Sequence, residues 1–272
     1  MLASFEGRAT EPELIQFSDA RNIAGHRPII IAHRGGIVSA LSHECSLTAI
    51  RLAAEAGYDM VELDVQQSRD GVPIVFHDQN LTKACGKSGG VADFKATELE
   101  AIPYLTGDDT IIRLETALKS CRRLSLGVML DLKVGRDSRE FLELIDRLLV
   151  EHELSDSTIT ISGNETTRRF LKHVRFTPTD EEMRQLRTGK TLDLSHRFWF
   201  GLPKRLQSGD VAKLKTAGAL ILPAINTFRY PEKEHLTLAR DDIKNLTEQG
   251  VDGFQIDSIY FSSFSKMKRT GQ

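Results

Sequence analysis

The chain is poor in cysteine and lacks long apolar runs. It has three cysteines, Cys45, Cys85 and Cys121, in 272 residues. This odd, sparse set argues against a disulfide framework and fits a reducing compartment. No apolar run approaches the ~20 residues that a membrane-spanning helix requires. Residues 1–27 carry several acidic side chains and no apolar stretch of the kind found in signal peptides. These absences predict a cytoplasmic protein without a membrane span.

The chain also lacks a strong net charge. Its 36 basic residues (Lys and Arg) are opposed by 38 acidic ones (Asp and Glu), for a net charge of −2 at pH 7, and no dense basic block is present. A nucleic-acid-binding surface is therefore not expected, although a local basic pocket is compatible with this composition. The 40% hydrophobic content is ordinary for a globular protein. The length fits either one α/β barrel of roughly 250 residues or two smaller domains.

Short apolar runs alternate with amphipathic segments along most of the chain. Runs that are rich in β-branched residues and bounded by Gly, Pro or Asp are typical of strands buried on both faces. They cover residues 29–33, 60–66, 74–77, 126–133, 158–162, 219–224 and 253–257, with an eighth near 197–202 or 174–176. Helices are predicted at 47–56, 138–152, 164–173, 208–217 and 240–249. This alternation predicts a parallel sheet, open or closed into a barrel.

The alternation is interrupted over residues 79–113. This segment follows the strand that ends at His77 and contains four glycines, among them Gly89 and Gly90. Long connections on the functional face of a sheet often shape a substrate site. We therefore expect residues 29–272 to form one barrel with an insertion at about 79–113, and residues 1–28 to form an N-terminal extension that packs on it.

Polar side chains with catalytic potential stand at the predicted strand ends. His33 and His77 each close an apolar run, and Glu62 and Asp64 lie two residues apart on the strand between them. Residues two apart in a strand point to the same face. Apolar neighbours indicate that this strand is buried, and a buried carboxylate needs a partner such as a hard cation. In a barrel, these strand ends would meet at the functional face.

The neighbours of these residues suit a phosphate ester. Arg34 follows His33 and precedes two glycines, which permit close approach of a ligand to a guanidinium that can bind phosphate. Asp131 and Lys133, at the end of another predicted strand, offer a further ligand and a positive charge. One histidine could take a proton from an attacking hydroxyl while the other gives one to the leaving alkoxide. Each residue alone has a structural explanation, but together they favour metal-assisted phosphoryl transfer.

The chain resembles the glycerophosphodiester phosphodiesterase family of the phosphatidylinositol-phospholipase-C-like superfamily. The resemblance extends from about residue 29 to residue 257 and implies a (β/α)8 TIM barrel with a small insertion after the third strand. It rests on an ordered set of motifs: His33-Arg34-Gly35, Glu62-Leu63-Asp64-Val65, Asp70-Gly71, Val75-Phe76-His77-Asp78, Leu114-Glu115-Thr116-Ala117-Leu118 and Gly250-Val251-Asp252-Gly253.

The same resemblance implies an activity and a role for each candidate residue. A glycerophosphodiester would be hydrolysed to glycerol 3-phosphate and an alcohol, with a glycerol hydroxyl or water as the nucleophile. One divalent cation is implied, Mg²⁺ or Ca²⁺, with Mn²⁺ as a further candidate. The partners are a small-molecule substrate and a second copy in a candidate homodimer. The implied roles are acid/base catalysis by His33 and His77, metal binding by Glu62, Asp64 and Asp131, and phosphate binding by Arg34 and Lys133.

Three positions depart from the family pattern. His43-Glu44-Cys45-Ser46 replaces Pro-Glu-Asn-Thr but keeps Glu44, a candidate for a ligand or for a residue that supports the ligands. Asp131 replaces a glutamate, as in the related sphingomyelinase D branch, and shortens the reach of the carboxylate by roughly 1.5 Å. The late Trp-Thr-Val-Asn motif has no tryptophan here, and the only tryptophan of the chain is Trp199. The identity of the released alcohol therefore stays open.

Two other functions remain open from the sequence. A lysophospholipase D or a sphingomyelinase-D-like enzyme would keep the chemistry and take a lipid substrate, as Asp131 and the missing tryptophan suggest. A non-catalytic barrel that binds phosphate esters would account for the altered segments around Glu44 and Asp131. The presence of both His33 and His77 argues against this last alternative.

Overall fold

Strands and helices alternate in the described part of the chain. The computed structural model describes residues 13–133 and 139–264. The strands are β1 (Ile29–Ala32), β2 (Met60–Gln67), β3 (Pro73–Val75), β4 (Ile112–Arg113), β5 (Gly127–Leu132), β6 (Thr158–Thr160), β7 (Arg175–Phe176), β8 (Phe198–Trp199), β9 (Leu220–Ile221), β10 (Ala224–Ile225) and β11 (Gly253–Ile256). The helices are α1 (Ala20–His26), α2 (Leu47–Ala56), α3 (Thr82–Cys85), α4 (Ala96–Leu99), α5 (Leu114–Arg123), α6 (Arg139–Glu151), α7 (Glu165–Phe170), α8 (Asp180–Arg187), α9 (Asp210–Thr216) and α10 (His235–Gln249).

Parallel pairings curl the sheet into a ring. The order β10–β11–β1–β2–β5–β6–β7 is continuous, and β8 pairs in parallel with β9. A parallel bridge between Phe176 and Arg197 joins β7 to the segment that leads into β8. Because β9 and β10 are separated only by Leu222 and Pro223, they act as one strand position. The ring thus has eight parallel positions, and the predicted TIM-barrel fold class is confirmed.

Alternate residues of the ring strands pack into two different cores. Ile29 and Ile31 of β1 belong to an inner cluster, whereas Ile30 and Ala32 belong to the larger cluster under the helices. All four are at most 1% exposed. Burial on both faces explains why these runs are continuously apolar, and each fully buried large side chain stabilises the fold by about 1.5–3 kcal/mol.

The N-terminal segment contributes to the inner core. Ile15 and Phe17 pack in the inner cluster with side chains from β1, β2 and β5. The backbone of Gly127 lies so close to this segment that an added Cβ would be 2.6 Å from Cγ2 of Ile15. Residues 1–12 of the predicted extension lie outside the described residues. No helix in the ranges 13–133 and 139–264 combines the length and apolar character that crossing a bilayer requires.

The segment between β2 and α5 differs from a simple barrel connection. The predicted strand at 74–77 is β3, which pairs antiparallel to β2 through Val65 and Val75 and antiparallel to β4. A tight reversal explains this, since Ser68 and Val72 are hydrogen-bonded and Gly71 has φ +83°. So short a connection cannot return the chain to a parallel strand. β3 therefore lies beside the ring and begins a small lobe that contains α3, α4 and β4.

The helix predicted at 47–56 agrees with the structure at both ends, whereas the helix predicted at 240–249 begins earlier, at His235, and the helix predicted at 164–173 ends earlier, at Phe170. α2 begins after Ser46, whose hydroxyl accepts from the amide of Ala49, and ends at Gly57 in the left-handed conformation. Both alternatives for the eighth strand are strands, β7 and β8, and the strand predicted at 219–224 is divided into β9 and β10. Residue 138 of the helix predicted at 138–152 lies outside the described residues, and α6 covers the rest up to Glu151.

Candidate functional site

The three predicted metal ligands meet beside the carboxyl ends of β1 and β5, in the middle of the longer strand β2. These strands are parallel with Asp64 opposite Asp131, while Glu62 lies one pleat earlier on the same face as Asp64. A carboxylate oxygen from each of the three lies within 4.8 Å of the others. Glu62 and Asp64 are each only 1% exposed. Sheet register therefore places an oxygen-only cluster where the strand-end pattern predicted it.

This cluster holds more negative charge than its neighbours balance. Burial raises the pKa of Glu62 well above its usual value, and the nearby charges of Asp64 and Asp131 raise it further. Among the described residues, Lys133 is the one side-chain cation that forms an ion pair with this cluster, with its Nζ 2.5 Å from Asp131 and 3.1 Å from Asp64. Burial lowers the pKa of Lys133, but the two carboxylates raise it by more, so it stays charged. Three clustered carboxylates with a single ammonium fit a hard divalent cation, which takes oxygen ligands.

The turn after β1 brings a backbone donor and a guanidinium to the cluster. Arg34 has φ +54° and donates its amide N–H to Glu62 Oε2 at 2.7 Å. Gly36 allows the turn to pass against α2, because a Cβ there would be 2.1 Å from the carbonyl oxygen of Ala49. The Arg34 side chain donates from Nη1 to Glu44 at 2.8 Å. Nε of Arg34 is buried and has no protein partner within the described residues.

The first predicted histidine is held by a carboxylate that the sequence analysis did not assign. Nδ1 of His33 lies 2.5 Å from Oδ1 of Asp257, which follows β11. Thr227 donates to the other oxygen of Asp257 from both its amide and its hydroxyl, and Asn226 Nδ2 lies 3.2 Å from His33 Nδ1. Burial raises the pKa of Asp257, but the bonds from His33 and Thr227 outweigh it and lower the pKa to about 2. With Nδ1 bonded to this carboxylate, Nε2 is the nitrogen left for a ligand.

The second predicted histidine, His77, also pairs with a carboxylate, but it lies on a different kind of element from His33. Nδ1 of His77 is 2.8 Å from Oδ1 of Asp78 and 3.8 Å from Oε1 of Glu44. Gln66 of β2 fixes this loop by donating to the carbonyls of Phe76 and Asp78. His77 therefore reaches the site from the antiparallel hairpin, not from a barrel strand. Glu44, His77 and Asp78 also form a second group whose ligand atoms lie within 4.8 Å of one another.

All seven predicted site residues, and Glu44, are thus brought to one end of the barrel. Four supporting residues received no role from the sequence. Asp257 is the last residue of a predicted strand, and Asp78 is adjacent to His77, but neither position shows by itself which side chain is the partner. The four are Gln66, Asp78, Asn226 and Asp257.

Comparison with known sequences identifies relatives over this part of the chain. The model of the glycerophosphoryl diester phosphodiesterase family matches residues 33–191. The mouse (Mus musculus) protein named glycerophosphodiester phosphodiesterase 1 is 33% identical over 115 residues, which are 39% of this chain and 34% of the mouse protein. This chain thus matches about a third of the length of that relative.

Comparison with solved structures extends the similarity to nearly the whole fold. A glycerophosphoryl diester phosphodiesterase from Parabacteroides distasonis has a TM-score of 0.70 at 18% identity, with 93% of this chain and 94% of that chain covered. A phosphodiesterase from Oleispira antarctica, solved in complex with the product sn-glycerol-3-phosphate, has a TM-score of 0.63 at 19% identity, with 92% and 98% covered. At these identities the likeness establishes a shared barrel fold.

Proposed function

The chain belongs to the glycerophosphoryl diester phosphodiesterase family, and on this premise we propose that it is a metal-dependent phosphodiesterase. It would hydrolyse glycerophosphodiesters to glycerol 3-phosphate and an alcohol. The observation that carries the proposal is the pairing of His33 with Asp257 and of His77 with Asp78 around one buried carboxylate cluster. The product named in the Oleispira antarctica structure supports the glycerol half of the substrate.

Glu62, Asp64 and Asp131 would hold the cation. Their oxygen-only donor set and the raised pKa of Glu62, which burial causes first, support Mg²⁺ or Ca²⁺, with Mn²⁺ as a further candidate. When bound, the cation supplies charge neutralisation and polarises a phosphoryl oxygen. Glu44 lies beside Arg34 and His77 and would orient both of them without joining the carboxylate cluster.

The two histidines would carry the proton transfers. Each imidazole has its Nδ1 side turned to a carboxylate, so its Nε2 is available to exchange a proton with the substrate. One histidine would take the proton of the attacking hydroxyl, from glycerol or water, and the other would protonate the leaving alkoxide. The partner carboxylate would stabilise the imidazolium form of each histidine, which the base reaches by taking its proton and from which the acid gives one up.

Arg34 and Lys133 would bind the phosphate. The unpartnered Nε of Arg34 is a donor that a phosphate oxygen could satisfy. Lys133 lies between the carboxylates of Asp64 and Asp131, where its charge can also face the developing negative charge of the transition state. These contacts fit substrate binding better than a purely structural ion pair, because they converge on the histidine-lined end of the barrel.

The direct test is turnover by the purified protein. Glycerol 3-phosphate should be released from glycerophosphoethanolamine or glycerophosphocholine in the presence of Mg²⁺, Ca²⁺ or Mn²⁺ and not in the presence of a chelator. The variant His173→Gln is a control and should retain this turnover, because His173 also pairs with a carboxylate, Asp146, but on the exposed surface. A broad panel of glycerophosphodiesters without turnover at any cation would refute the proposal and favour a non-catalytic binding barrel.

A lysophospholipase D or sphingomyelinase-D-like activity is the second candidate. Phe228 is 64% exposed, and the centroid of its ring lies 6.3 Å from that of His33. An exposed aromatic ring beside a catalytic imidazole could contact an acyl chain. Release of choline from lysophosphatidylcholine or of ceramide phosphate from sphingomyelin would support this candidate, whereas turnover of water-soluble diesters alone would count against it.

A further inference from the structure

A cavity opens at the same end of the barrel as the candidate site. Its volume is about 670 Å³. Three lining residues, Ile161, Thr177 and Phe200, directly follow β6, β7 and β8. In a parallel barrel, the residues that follow the strands lie at the carboxyl end, where the chemistry takes place. The cavity is therefore on the functional face and not on the opposite end of the barrel.

Two chain connections link this cavity to the candidate site. Arg229 lines the cavity, and the neighbouring Phe228 has its ring beside that of His33. On the other side, Ile161 precedes Ser162, whose hydroxyl oxygen accepts from the amide of Leu132, next to Asp131. A substrate whose phosphate lies between His33 and Asp131 could thus extend one of its arms towards the cavity.

The cavity carries a surplus of positive charge. Lys204, Arg205 and Arg229 line it, and within the described ranges no carboxylate lies within ion-pair distance of any of them. Burial lowers the pKa of Arg229 and the nearby charge of Arg205 lowers it further, so these two guanidinium groups repel each other; the charges of Tyr230 and Asp257 oppose this effect without reversing it. The remaining basic residue, Arg187, is neutralised by the buried carboxylate of Asp210 at 2.7 Å. Of the described residues that line the cavity, Asp180 is the one that is acidic.

Aromatic side chains form part of the wall. Trp199 is 6% exposed, and Gly201 lies against its ring, where an added Cβ would be 3.3 Å away. Phe200 lines the cavity beside them. A polar rim on an aromatic wall suits a ring-shaped polar group, because its faces pack on the aromatic rings while its substituents reach the charges.

We propose that this cavity binds the alcohol half of the diester and selects alcohols that carry a second anionic group, such as a phosphorylated ring polyol. The inference rests on the proposed phosphodiesterase function and adds a substrate class to it. An anionic substituent would satisfy Arg205 and Arg229, which otherwise repel each other. A choline or ethanolamine group would instead bring a positive charge to three cations that have no carboxylate partner among the described residues, at a cost that follows from Coulomb repulsion.

A matched pair of substrates isolates the second anion. Glycerophosphoinositol 4-phosphate and glycerophosphoinositol differ only in one phosphate, and kcat/KM should be about tenfold or more higher for the phosphorylated diester, as expected for charge-assisted hydrogen bonds. The double variant Arg205→Gln/Arg229→Gln should bring the ratio close to one. Arg123→Gln removes the same charge from the end of α5, outside the cavity, and should leave the ratio unchanged.

A binding measurement keeps the inference testable apart from turnover. Calorimetric titration should show that myo-inositol 4-phosphate binds the protein and that the double variant binds it at least tenfold more weakly, with myo-inositol as the uncharged control.

Turnover without preference for the phosphorylated diester, or a preference for glycerophosphocholine, would overturn the inference and leave the proposed function intact. Absence of all turnover would refute the proposed function, and the titration would then decide the inference. The inference would also be overturned if the protein bound phosphatidylglycerol vesicles through these arginines but bound myo-inositol 4-phosphate no more tightly than myo-inositol. The arginines would then serve contact with a lipid surface.

Discussion

Nδ1 of His33 lies 2.5 Å from Oδ1 of Asp257, although 224 residues separate them in the chain. Closure of the ring explains the contact. β1 and β11 are parallel neighbours with Ala32 opposite Ile256, so the residues that immediately follow these strands meet at the carboxyl end. Asp257 can therefore fix the orientation of His33 only when the first and last strands of the barrel are paired.

Asp257→Asn should reduce catalysis more than it reduces substrate binding. An amide cannot stabilise an imidazolium as a carboxylate does, so we expect kcat to fall on the order of 10²-fold or more with little change in KM. Steady-state kinetics on glycerophosphoethanolamine measure both quantities. Asp146→Asn, at the exposed His173 pair, is the matched control and should retain wild-type kcat. Equal effects of the two substitutions would show that Asp257 has no role in positioning His33.

The same carboxylate should contribute to stability in a pH-dependent way. Its pKa is lowered to about 2 in the folded protein, because the bonds from His33 and Thr227 outweigh the effect of burial. The contribution is therefore fully present above the unfolded-state pKa of about 4 and is lost as the pH falls towards 2. Between pH 6 and pH 3, wild type should lose about 1 kcal/mol more unfolding free energy than Asp257→Asn. Urea unfolding at the two pH values tests this, and a larger loss in the variant would contradict it.

A divalent cation should stabilise the protein through Asp131 and not through Asp78. In the part of the chain that the structure describes, two groups of side chains could hold an ion, one containing Glu62, Asp64 and Asp131, the other Glu44, His77 and Asp78. A cation that binds only the folded state and is present at a concentration of 100 times its dissociation constant raises the unfolding free energy by about 2.7 kcal/mol. Thermal unfolding should show this increase in wild type and Asp78→Asn and a much smaller one in Asp131→Asn. A large increase in Asp131→Asn and a small one in Asp78→Asn would show instead that the ion binds to the second group.

Gly36 should tolerate alanine far less well than Gly57. Both have positive φ, +139° and +89°, but an added Cβ meets the carbonyl oxygen of Ala49 at 2.1 Å only at Gly36, whereas nothing lies within 4 Å at Gly57. Gly57→Ala should cost about 1 kcal/mol from backbone strain, and Gly36→Ala more than about 3 kcal/mol, because the turn that carries Arg34 must also shift. Urea unfolding measures both. Similar losses would show that the turn can move away from α2 at little cost.

Much of the barrel could be predicted from the sequence because burial on both faces leaves a clear pattern. Continuous apolar runs such as residues 29–32, three of which are isoleucine, can be recognised without knowledge of their neighbours. The direction of a strand leaves no such pattern. Val75 belongs to an antiparallel strand, and only the few residues between Gln67 and Pro73 indicate it, since a parallel return needs a longer connection.

The same distinction holds for the candidate site: residues on strands could be predicted, whereas contacts that depend on ring closure or on a turn could not. Glu62 and Asp64 could be predicted as a pair because residues two apart in a strand share a face, and Asp131 because it lies near the end of β5, where register places it opposite Asp64. The partner of His33 could not be assigned, because it depends on which strands become neighbours when the ring closes. The contact of Glu44 with Arg34 likewise depends on the path of the turn. Arg34 adopts a left-handed backbone conformation there, and an arginine in the sequence does not predict that conformation.

The most direct test of the two-histidine account compares two leaving groups. Kinetics of His33→Gln and His77→Gln should be measured on glycerophosphocholine and on the p-nitrophenyl diester of glycerol 3-phosphate, whose leaving group needs no proton. With glycerophosphocholine, both variants should lose on the order of 10²-fold or more in kcat while remaining folded. With the p-nitrophenyl diester, one variant, that of the general acid, should recover most of its activity and the other should not. Wild-type rates in either variant on glycerophosphocholine, or equal losses in both on the two substrates, would contradict the account.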